Sequence, residues 1–248
     1  MVTPGGCVSV LGGIILVALR VARQGIFFNM VHKKTVHSAP RQRGRPRAYD
    51  ADTALAQAMS AFWQFGYSAT SLDQLSDATD MNRPSLYAAF GDKRALYLQT
   101  LQSYTERSKD GIAKALDPQL SLAEGLQRFY DSAIASYLPS GDPARGCYLI
   151  GTAVTEALGD EEVRKRLASA LNEFEEMVAA RIKQARDDGE IDATTDPQAL
   201  AMITVAVLYT MAIRARAGES RAVLKSVAAT AINLISGGAP ARKRRRAQ

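Results

Sequence analysis

Few side chains in this sequence are suited to catalysis or metal binding. Its only histidines are His32 and His37, so no imidazole after position 37 can act as a general base, a triad member or a metal ligand. Its two cysteines, Cys7 and Cys147, are too few for a disulfide framework or a cysteine-rich zinc site, as is typical of a reducing, cytoplasmic compartment. The sequence also lacks a phosphate-binding loop and paired metal-ligand motifs. We therefore expect no enzyme activity, no cofactor and no bound metal.

The charged side chains point instead to phosphate groups. The net charge is +6, but residues 1–49 carry eight Lys and Arg and no acid, and residues 237–248 carry five and no acid. The sequence between them has a net charge of −7. Basic ends on an acidic middle favour local contact with phosphate or a membrane surface.

The elements that must position these charges are helices. After residue 50, apolar residues recur at helical spacing and no stretch keeps the two-residue alternation of a strand. The predicted fold class is therefore all-α, with about nine helices and no internal repeat. The expected helices cover residues 50–65, about nine residues from 72, about seven residues from 83 or 84 to 90, and then 93–116, 121–138, 146–158, 160–188, 196–217 and 219–235.

The second and third helices are short and closely spaced. Ser71 can cap the second, with Gln74 at the capping-box position, and Asn82 can cap the third, with Pro84 in its first turn. Two such helices joined by a tight turn at Asp80 form a helix-turn-helix, which can place its second helix in the major groove of DNA.

Residues 65–96 resemble the TetR/AcrR family of bacterial transcriptional regulators. The matching segments are Phe65-Gly66-Tyr67, Thr70-Ser71, Ser85-Leu86-Tyr87 with Phe90, and Lys93 with Ala95-Leu96. One position departs from the family, which usually has glycine in the turn where this sequence has Asp80. Aspartate tolerates the left-handed backbone conformation better than most residues, so we expect the turn to form.

The predicted third helix has an inner and an outer face. Leu86 and Phe90 are four residues apart and should pack inward. On the outer face, Arg83 can form a bidentate pair with guanine, and Pro84 and Ser85 can touch a base edge or a thymine methyl group. A solvated arginine is the alternative for Arg83.

Four further residues are predicted to meet the DNA backbone. Tyr87 resembles the family's phosphate-contacting tyrosine, with half-buried packing as the alternative. Lys93 lies in the first turn of its helix, where a cation opposes the helix dipole, and contact with a phosphate explains that position. Thr70 and Ser71 can donate to phosphate, with helix capping alone as the alternative.

Basic residues flank this module. Residues 50–100 have three cations against six acids, so the module needs a further source of positive charge. The preceding Arg-Gly-Arg-Pro sequence is similar to an AT-hook and is predicted to place Arg43, Arg45 and Arg47 on the minor groove or phosphates, with a solvated arm as the alternative. The tail at 242–246 is expected to be disordered and solvated, with nonspecific DNA contact as the alternative.

The first 29 residues are harder to interpret. The apolar run at 8–19 is too short to span a membrane, and no secretory signal pattern surrounds it. A start of translation near Met30 would remove this segment from the native protein. Disorder or loose packing, and contact with a membrane through Phe27 and Phe28, remain open alternatives.

The larger half of the chain is predicted to bind a ligand and to dimerise, as the resemblance implies. The helices near 196–217 and 219–235 are strongly apolar and are the expected homodimer interface, although an intrachain core is the alternative. Cys147, near a helix start, is either a reactive thiol or a buried structural residue. The candidate ligand-binding residues are Tyr104, Phe129, Tyr130, Tyr137, Cys147, Tyr148, Thr152, Glu156, Phe174, Met177 and Tyr209.

Together these features predict a cytoplasmic, dimeric, ligand-responsive regulator that binds double-stranded operator DNA and is released by a small-molecule effector. The expected domains are an extension (1–40), a basic arm with the helix-turn-helix (41–95), a ligand-binding and dimerisation domain (96–237) and a basic tail (238–248). A membrane-associated helical adaptor is the alternative function, and liposome binding with and without residues 1–29 distinguishes the two.

Overall fold

Helices make up all the regular structure in the part of the chain that the computed structural model describes, residues 50–141 and 143–237. This confirms the all-α prediction. The helices are α1 (Ala51–Phe65), α2 (Leu72–Thr79), α3 (Arg83–Phe90), α4 (Lys93–Ala115), α5 (Leu122–Tyr137), α6 (Val154–Glu156), α7 (Glu161–Asp187), α8 (Pro197–Arg216) and α9 (Arg221–Ile235).

The prediction for residues 146–158 is wrong as a single regular helix. Gly146 has a φ of +63°, which is outside the right-handed helical region, and its missing side chain lets the segment lie against α8. A Cβ there would come within 2.5 Å of the Ala212 carbonyl oxygen. Helical structure starts at Tyr148 and continues as a π-helical turn (Leu149–Ala153) into α6.

Side-chain caps fix the starts of the short helices. The Ser71 hydroxyl accepts the Gln74 amide at 3.1 Å, and the Gln74 side chain accepts the Ser71 amide at 2.7 Å, which completes the predicted capping box. Asn82 accepts the Ser85 amide at 2.9 Å and caps α3. Isolated eight-residue helices are unstable, so these caps and the packing beneath them hold α2 and α3 in place.

The turn between α2 and α3 forms as predicted. Asp80 adopts the left-handed conformation with a φ of 51°, and among the described residues no other non-glycine residue has a positive φ. The Asp80 and Met81 amides both donate to the Ser76 carbonyl oxygen, and the Met81 side chain is buried. The turn thus ends α2 and starts α3 two residues later.

We call α1–α3 the head and α5–α9 the body; α4 runs from one to the other. Leu86 and Phe90 of α3 are buried, as predicted, with Phe62 of α1 and Leu75 of α2. In the body, α8 packs against α7, α5 and α9. By length and composition α8 resembles a membrane span, but the core helix of a soluble protein has the same properties, and Ala201 and Met211 of α8 are buried.

Candidate functional site

The outer face of α3 presents polar groups to solvent. Arg83, Pro84 and Tyr87 are exposed, Tyr87 to 47% of its surface, and Ser85 is half-buried. Because Leu86 and Phe90 fix the opposite face of the helix in the core, these four side chains share one surface at the edge of the head. An exposed helix face of this kind fits the major groove.

Arg83 is held by a residue of α2. Its Nη2 and Nε donate to the Asp73 carboxylate at 2.6 and 3.1 Å, and this contact raises the pKa of the guanidinium. Among the described residues Nη1 has no hydrogen-bond partner. Exposed ion pairs of this kind contribute little free energy, so the guanidinium can leave Asp73 and pair with the O6 and N7 atoms of a guanine.

Lys93 lies beside Tyr67, at the start of α4. Its Nζ is 4.6 Å from the centroid of the Tyr67 ring and 3.4 Å from the Ser68 carbonyl oxygen. Partial burial lowers the pKa of this amine. The two contacts direct a cation to the first turn of α4, where it would oppose the helix dipole unless an anion joined it.

Thr70 and Ser71, both predicted to meet phosphate, differ in exposure. Ser71 is exposed and caps α2. Thr70 is buried and its hydroxyl donates to the Gly66 carbonyl oxygen, so it holds the turn between α1 and α2. The predicted arm residues Arg43, Arg45 and Arg47 lie outside the described residues, as do the N-terminal extension and the basic tail.

The body contains a cavity of about 290 Å³ on the side that faces the head. Six of the eleven predicted ligand-binding residues line it: Tyr104, Phe129, Tyr137, Cys147, Phe174 and Tyr209. The other lining residues were missed from the sequence: Met59, Trp63, Arg107, Ser108, Gly111, Ile112, Ala115, Ser132, Ala133, Ser136 and Leu208.

The cavity wall carries polar side chains among its apolar ones: three serines (Ser108, Ser132 and Ser136), three tyrosines, Cys147 and Arg107. Tyr104 Oη lies 3.3 Å from Cys147 Sγ, and burial raises the pKa of both groups, so the thiol stays protonated and its nucleophilicity is low. The Tyr209 hydroxyl is buried without a hydrogen-bond partner among the described residues. Of the described residues that line the wall, Arg107 is the one with a charge, and it is exposed. The wall thus suits a largely apolar molecule, with the Tyr209 hydroxyl as a buried group that can form a hydrogen bond to it.

The other five predicted ligand residues lie off the cavity wall. The Tyr130 hydroxyl donates to the Thr204 carbonyl oxygen at 3.0 Å, and the Tyr148 hydroxyl lies 2.7 Å from Thr100 Oγ1. The remaining three are Thr152, which accepts the Tyr97 hydroxyl at 2.9 Å, Glu156, which accepts the Ser68 hydroxyl at 2.8 Å, and Met177, which packs against the core.

An apolar surface covers part of α8 and α9. Large apolar side chains of both helices are exposed, and a groove between the helices is lined by Ile203, Val207 and Val227, among others. The exposed side chains are Met202, Ile203, Ile213, Val223 and Leu234. Exposed large apolar side chains on two adjacent helices, beside an apolar groove, favour an interface. We call it the α8–α9 patch.

Two family models match separate parts of the chain. Residues 54–100 match "Bacterial regulatory proteins, tetR family", and residues 123–231 match "Tetracyclin repressor-like, C-terminal domain". The Escherichia coli K12 HTH-type transcriptional repressor ComR is 33% identical over 194 residues, which are 78% of this chain and 92% of ComR. The chain belongs to the TetR family.

Structures and other sequences of TetR-family regulators agree with this assignment. A cysteine mutant of the TetR family regulator CifR, complexed with a 26-bp operator duplex, has a TM-score of 0.70 and 33% identity over 77% of this chain and 98% of its own. YezE, an uncharacterised HTH-type regulator of Bacillus subtilis, is 28% identical over 64% of this chain and 81% of its own. This TetR-family chain is a DNA-binding transcriptional regulator and not an enzyme, as predicted. The membrane adaptor alternative is not favoured.

Proposed function

We propose that the protein is a cytoplasmic homodimeric repressor that binds operator DNA through α3 and is released when a small molecule occupies the cavity. The observation that carries this proposal is the exposed polar face of α3 on a capped helix-turn-helix. The printed names of ComR, a repressor, and CifR, complexed with operator DNA, support both the sign of regulation and the partner.

Within the DNA interface, each side chain has a separate role. Arg83 reads a guanine, and Pro84 and Ser85 touch neighbouring base edges. Tyr87, Ser71 and Lys93 contact phosphates on either side and fix the register of α3 in the groove. Thr70 acts indirectly by holding the turn before α2. The basic arm, with Arg43, Arg45 and Arg47, supplies the cations that the acidic head lacks.

The α8–α9 patch joins two copies of the chain. Apolar side chains as exposed as Leu234, at 78%, are stabilised by burial in a symmetric interface. Two α3 helices then face one duplex at a fixed spacing, which predicts a roughly palindromic operator.

The cavity takes a small, flat and largely apolar effector. Aromatic rings of Phe129, Phe174 and Tyr137 supply the surface for it, and Tyr209 supplies one hydrogen bond. Since the wall carries the positive charge of Arg107 at its exposed edge, an anionic group is tolerated there and a cationic ligand is disfavoured. The effector lowers operator affinity to the extent that it binds better to the released conformation.

Two substitutions test the DNA interface. Operator sites selected from the DNA beside the protein's own gene are titrated with the parent, Arg83→Ala and Lys93→Ala. Arg83→Ala should lose about tenfold or more of its preference for particular base pairs. Lys93→Ala should weaken binding to all sequences alike. It should also reduce the slope of the logarithm of the binding constant against the logarithm of the salt concentration by about one for each chain bound.

A second lysine of α4 is the control, because it shows whether the loss of any positive charge from this helix weakens binding or only the loss of Lys93. Lys109 lies further along α4 and pairs with Glu173 at 2.7 Å, so Lys109→Ala should leave operator binding unchanged. If Arg83→Ala and Lys93→Ala both bind the operator as the parent does, the assignment of α3 and the start of α4 to DNA is wrong.

A further inference from the structure

The head contributes two residues to the wall of the cavity. Met59 and Trp63 of α1 line it, although α1 belongs to the helix-turn-helix module and the other lining residues belong to α4 and the body. Trp63 is also the only tryptophan of the chain. The DNA-binding module therefore has its own contact with the space that the effector would fill.

A hydrogen bond ties Trp63 to the body. The indole Nε1 donates to the Arg145 carbonyl oxygen at 3.1 Å, and the guanidinium carbon of Arg145 is 5.9 Å from the ring centroid. The partner segment is firmly held: the Arg145 and Gly146 amides both donate to the Tyr137 carbonyl oxygen at the end of α5, at 2.9 and 3.3 Å. Gly146 is also packed against the backbone of Ala212 on α8.

The two ends of this hydrogen bond thus belong to different regions: the donor to α1 of the head, and the acceptor to the segment between α5 and α6. The acceptor is fixed to α5 and α8, while the donor moves with α1. Because the acceptor is fixed, moving α1 away from the body, together with α2 and α4 that pack on it, breaks this hydrogen bond.

Packed aromatic rings continue from Trp63 toward the DNA-binding surface. The ring centroid of Trp63 is 5.4 Å from that of Tyr104, with the two rings nearly perpendicular, and 5.4 Å from that of Tyr148. The ring centroids of Tyr148 and Tyr97 are 6.4 Å apart, and those of Tyr97 and Tyr67 are 4.5 Å apart. Tyr67 in turn carries the Lys93 ammonium on its face. Close-packed rings pass a displacement on to their neighbours, because protein interiors have low compressibility.

We propose that Trp63 is the positioning residue through which the head senses the cavity. A flat apolar ligand packs against the indole, separates Nε1 from the Arg145 carbonyl oxygen and moves α1 relative to the body. This inference rests on the proposed function and adds a direct route from the cavity to the head through α1. Coupling between two sites typically changes affinity by about 5- to 150-fold, which sets the scale of the effect.

A substitution can stand in for the unidentified effector. Gly111 of α4 lines the cavity, and a Cβ built there meets no other atom within 4 Å. Gly111→Phe therefore adds a tethered aromatic ring at the cavity without a clash at its first atom. Trp63→Phe keeps an aromatic ring on α1 and removes the N–H donor. The matched control, Tyr104→Phe, removes a hydroxyl from the same wall whose partner, Cys147, lies in the body.

The experiment measures the operator Kd of the full-length protein with and without Gly111→Phe in three backgrounds. We expect Gly111→Phe to weaken binding at least tenfold in the parent and in Tyr104→Phe, but less than threefold in Trp63→Phe. An equal loss in all three, or no loss in the parent, overturns the role of Trp63. If the parent itself binds no operator, the proposed function fails first, so the two failures are distinguishable.

A second readout does not depend on how the variants fold. The single tryptophan, replaced biosynthetically by 5-fluorotryptophan, gives one fluorine NMR resonance for the unsubstituted protein. Because coupling is reciprocal, adding operator DNA should shift that resonance. A resonance that stays unchanged at saturating operator overturns the proposal.

Discussion

The head and the body hold their candidate functional groups in opposite ways. In the head these groups lie on the outer face of the eight-residue α3 and on the adjoining helix starts, where local caps and a few buried residues fix them. Residues from many elements form the wall of the cavity: α4, α5, α7, α8, the segment before α6, and α1 of the head. Contact with a long polymer needs an exposed surface, whereas enclosing a small molecule needs many elements.

Mutations in the two regions should also affect stability to different extents. The exposed side chains of α3 can change with little effect on the free energy of unfolding, because they touch little else. Side chains of the cavity wall also belong to the hydrophobic core, so a change there alters stability as well as binding.

The largest expected effect follows from charging the α8–α9 patch. Leu234→Lys places an ammonium where the proposed interface excludes water, so we expect monomers in analytical ultracentrifugation. Operator affinity should fall about a hundredfold, because one head then binds without the gain from a second. The control is Leu158→Lys, since Leu158 is 89% exposed and lies between α6 and α7. A dimer that persists in Leu234→Lys would contradict the assignment of the patch.

Two tyrosines of the body should respond differently to the loss of their hydroxyls. Tyr130→Phe removes a buried hydrogen bond to the Thr204 carbonyl oxygen and should lower the free energy of unfolding by about 1 kcal/mol. Tyr209→Phe removes a hydroxyl that has no partner among the described residues and should cost less than about 0.5 kcal/mol. Urea denaturation measures both values. Equal losses would show that the Tyr209 hydroxyl is used within the fold and is not kept for a ligand.

The turn of the head should gain stability from glycine. Asp80 holds a left-handed conformation that costs an ordinary residue about 1 kcal/mol, whereas glycine adopts it without strain. We expect Asp80→Gly to raise the free energy of unfolding by about 0.5 to 1 kcal/mol and Asp80→Ala to lower it, with operator affinity unchanged in Asp80→Gly. A melting temperature that falls in Asp80→Gly would mean that the aspartate side chain stabilises the turn by more than the backbone strain costs.

The smallest effect concerns the ion pair between the start of α4 and the start of α7. Arg94 donates to Asp160 at 2.8 Å and holds the pKa of that carboxyl at about 2, below its usual 3.8. A lowered pKa in the folded state stabilises the protein above about pH 4, and the stabilisation is lost as the pH falls through 2. Asp160→Asn keeps an N-cap for α7 but removes the charge.

Denaturation of the parent and Asp160→Asn at several pH values measures this contribution. The difference in stability between them should be small at pH 7, because both side chains of the pair are partly exposed to solvent, and should shrink further between pH 4 and pH 2. A difference that grows on acidification would have the wrong sign for this ion pair.

Local signals in the sequence predicted the head well. Ser71 and Asn82 cap α2 and α3 as predicted, and the predicted helix bounds in the head and body lie within two residues of the observed ones, except for residues 146–158. Caps, proline in a first turn and the departure at Asp80 act over a few residues, so they can be read directly from the sequence.

The cavity could not be predicted with the same accuracy. Tyr130 and Tyr148 have the residue type expected of a ligand pocket, but their hydroxyls are used in buried hydrogen bonds between distant segments. Trp63 was missed because it follows the core residue Phe62 on α1 and its partner, Arg145, is 82 positions away. The one available signal was a sole tryptophan beside the buried face of a helix, and that signal does not identify what the ring contacts.

The central claim is that two copies of this chain bind one duplex through α3, and native mass spectrometry of the full-length protein with an operator fragment tests it most directly. A fragment selected from the DNA beside the protein's own gene should give a complex of two chains and one duplex at low ionic strength. The complex should disappear with Leu234→Lys, and Arg83→Ala should bind the selected and scrambled fragments alike. A parent protein that leaves the duplex unbound, or binds it as a single chain, would contradict the account.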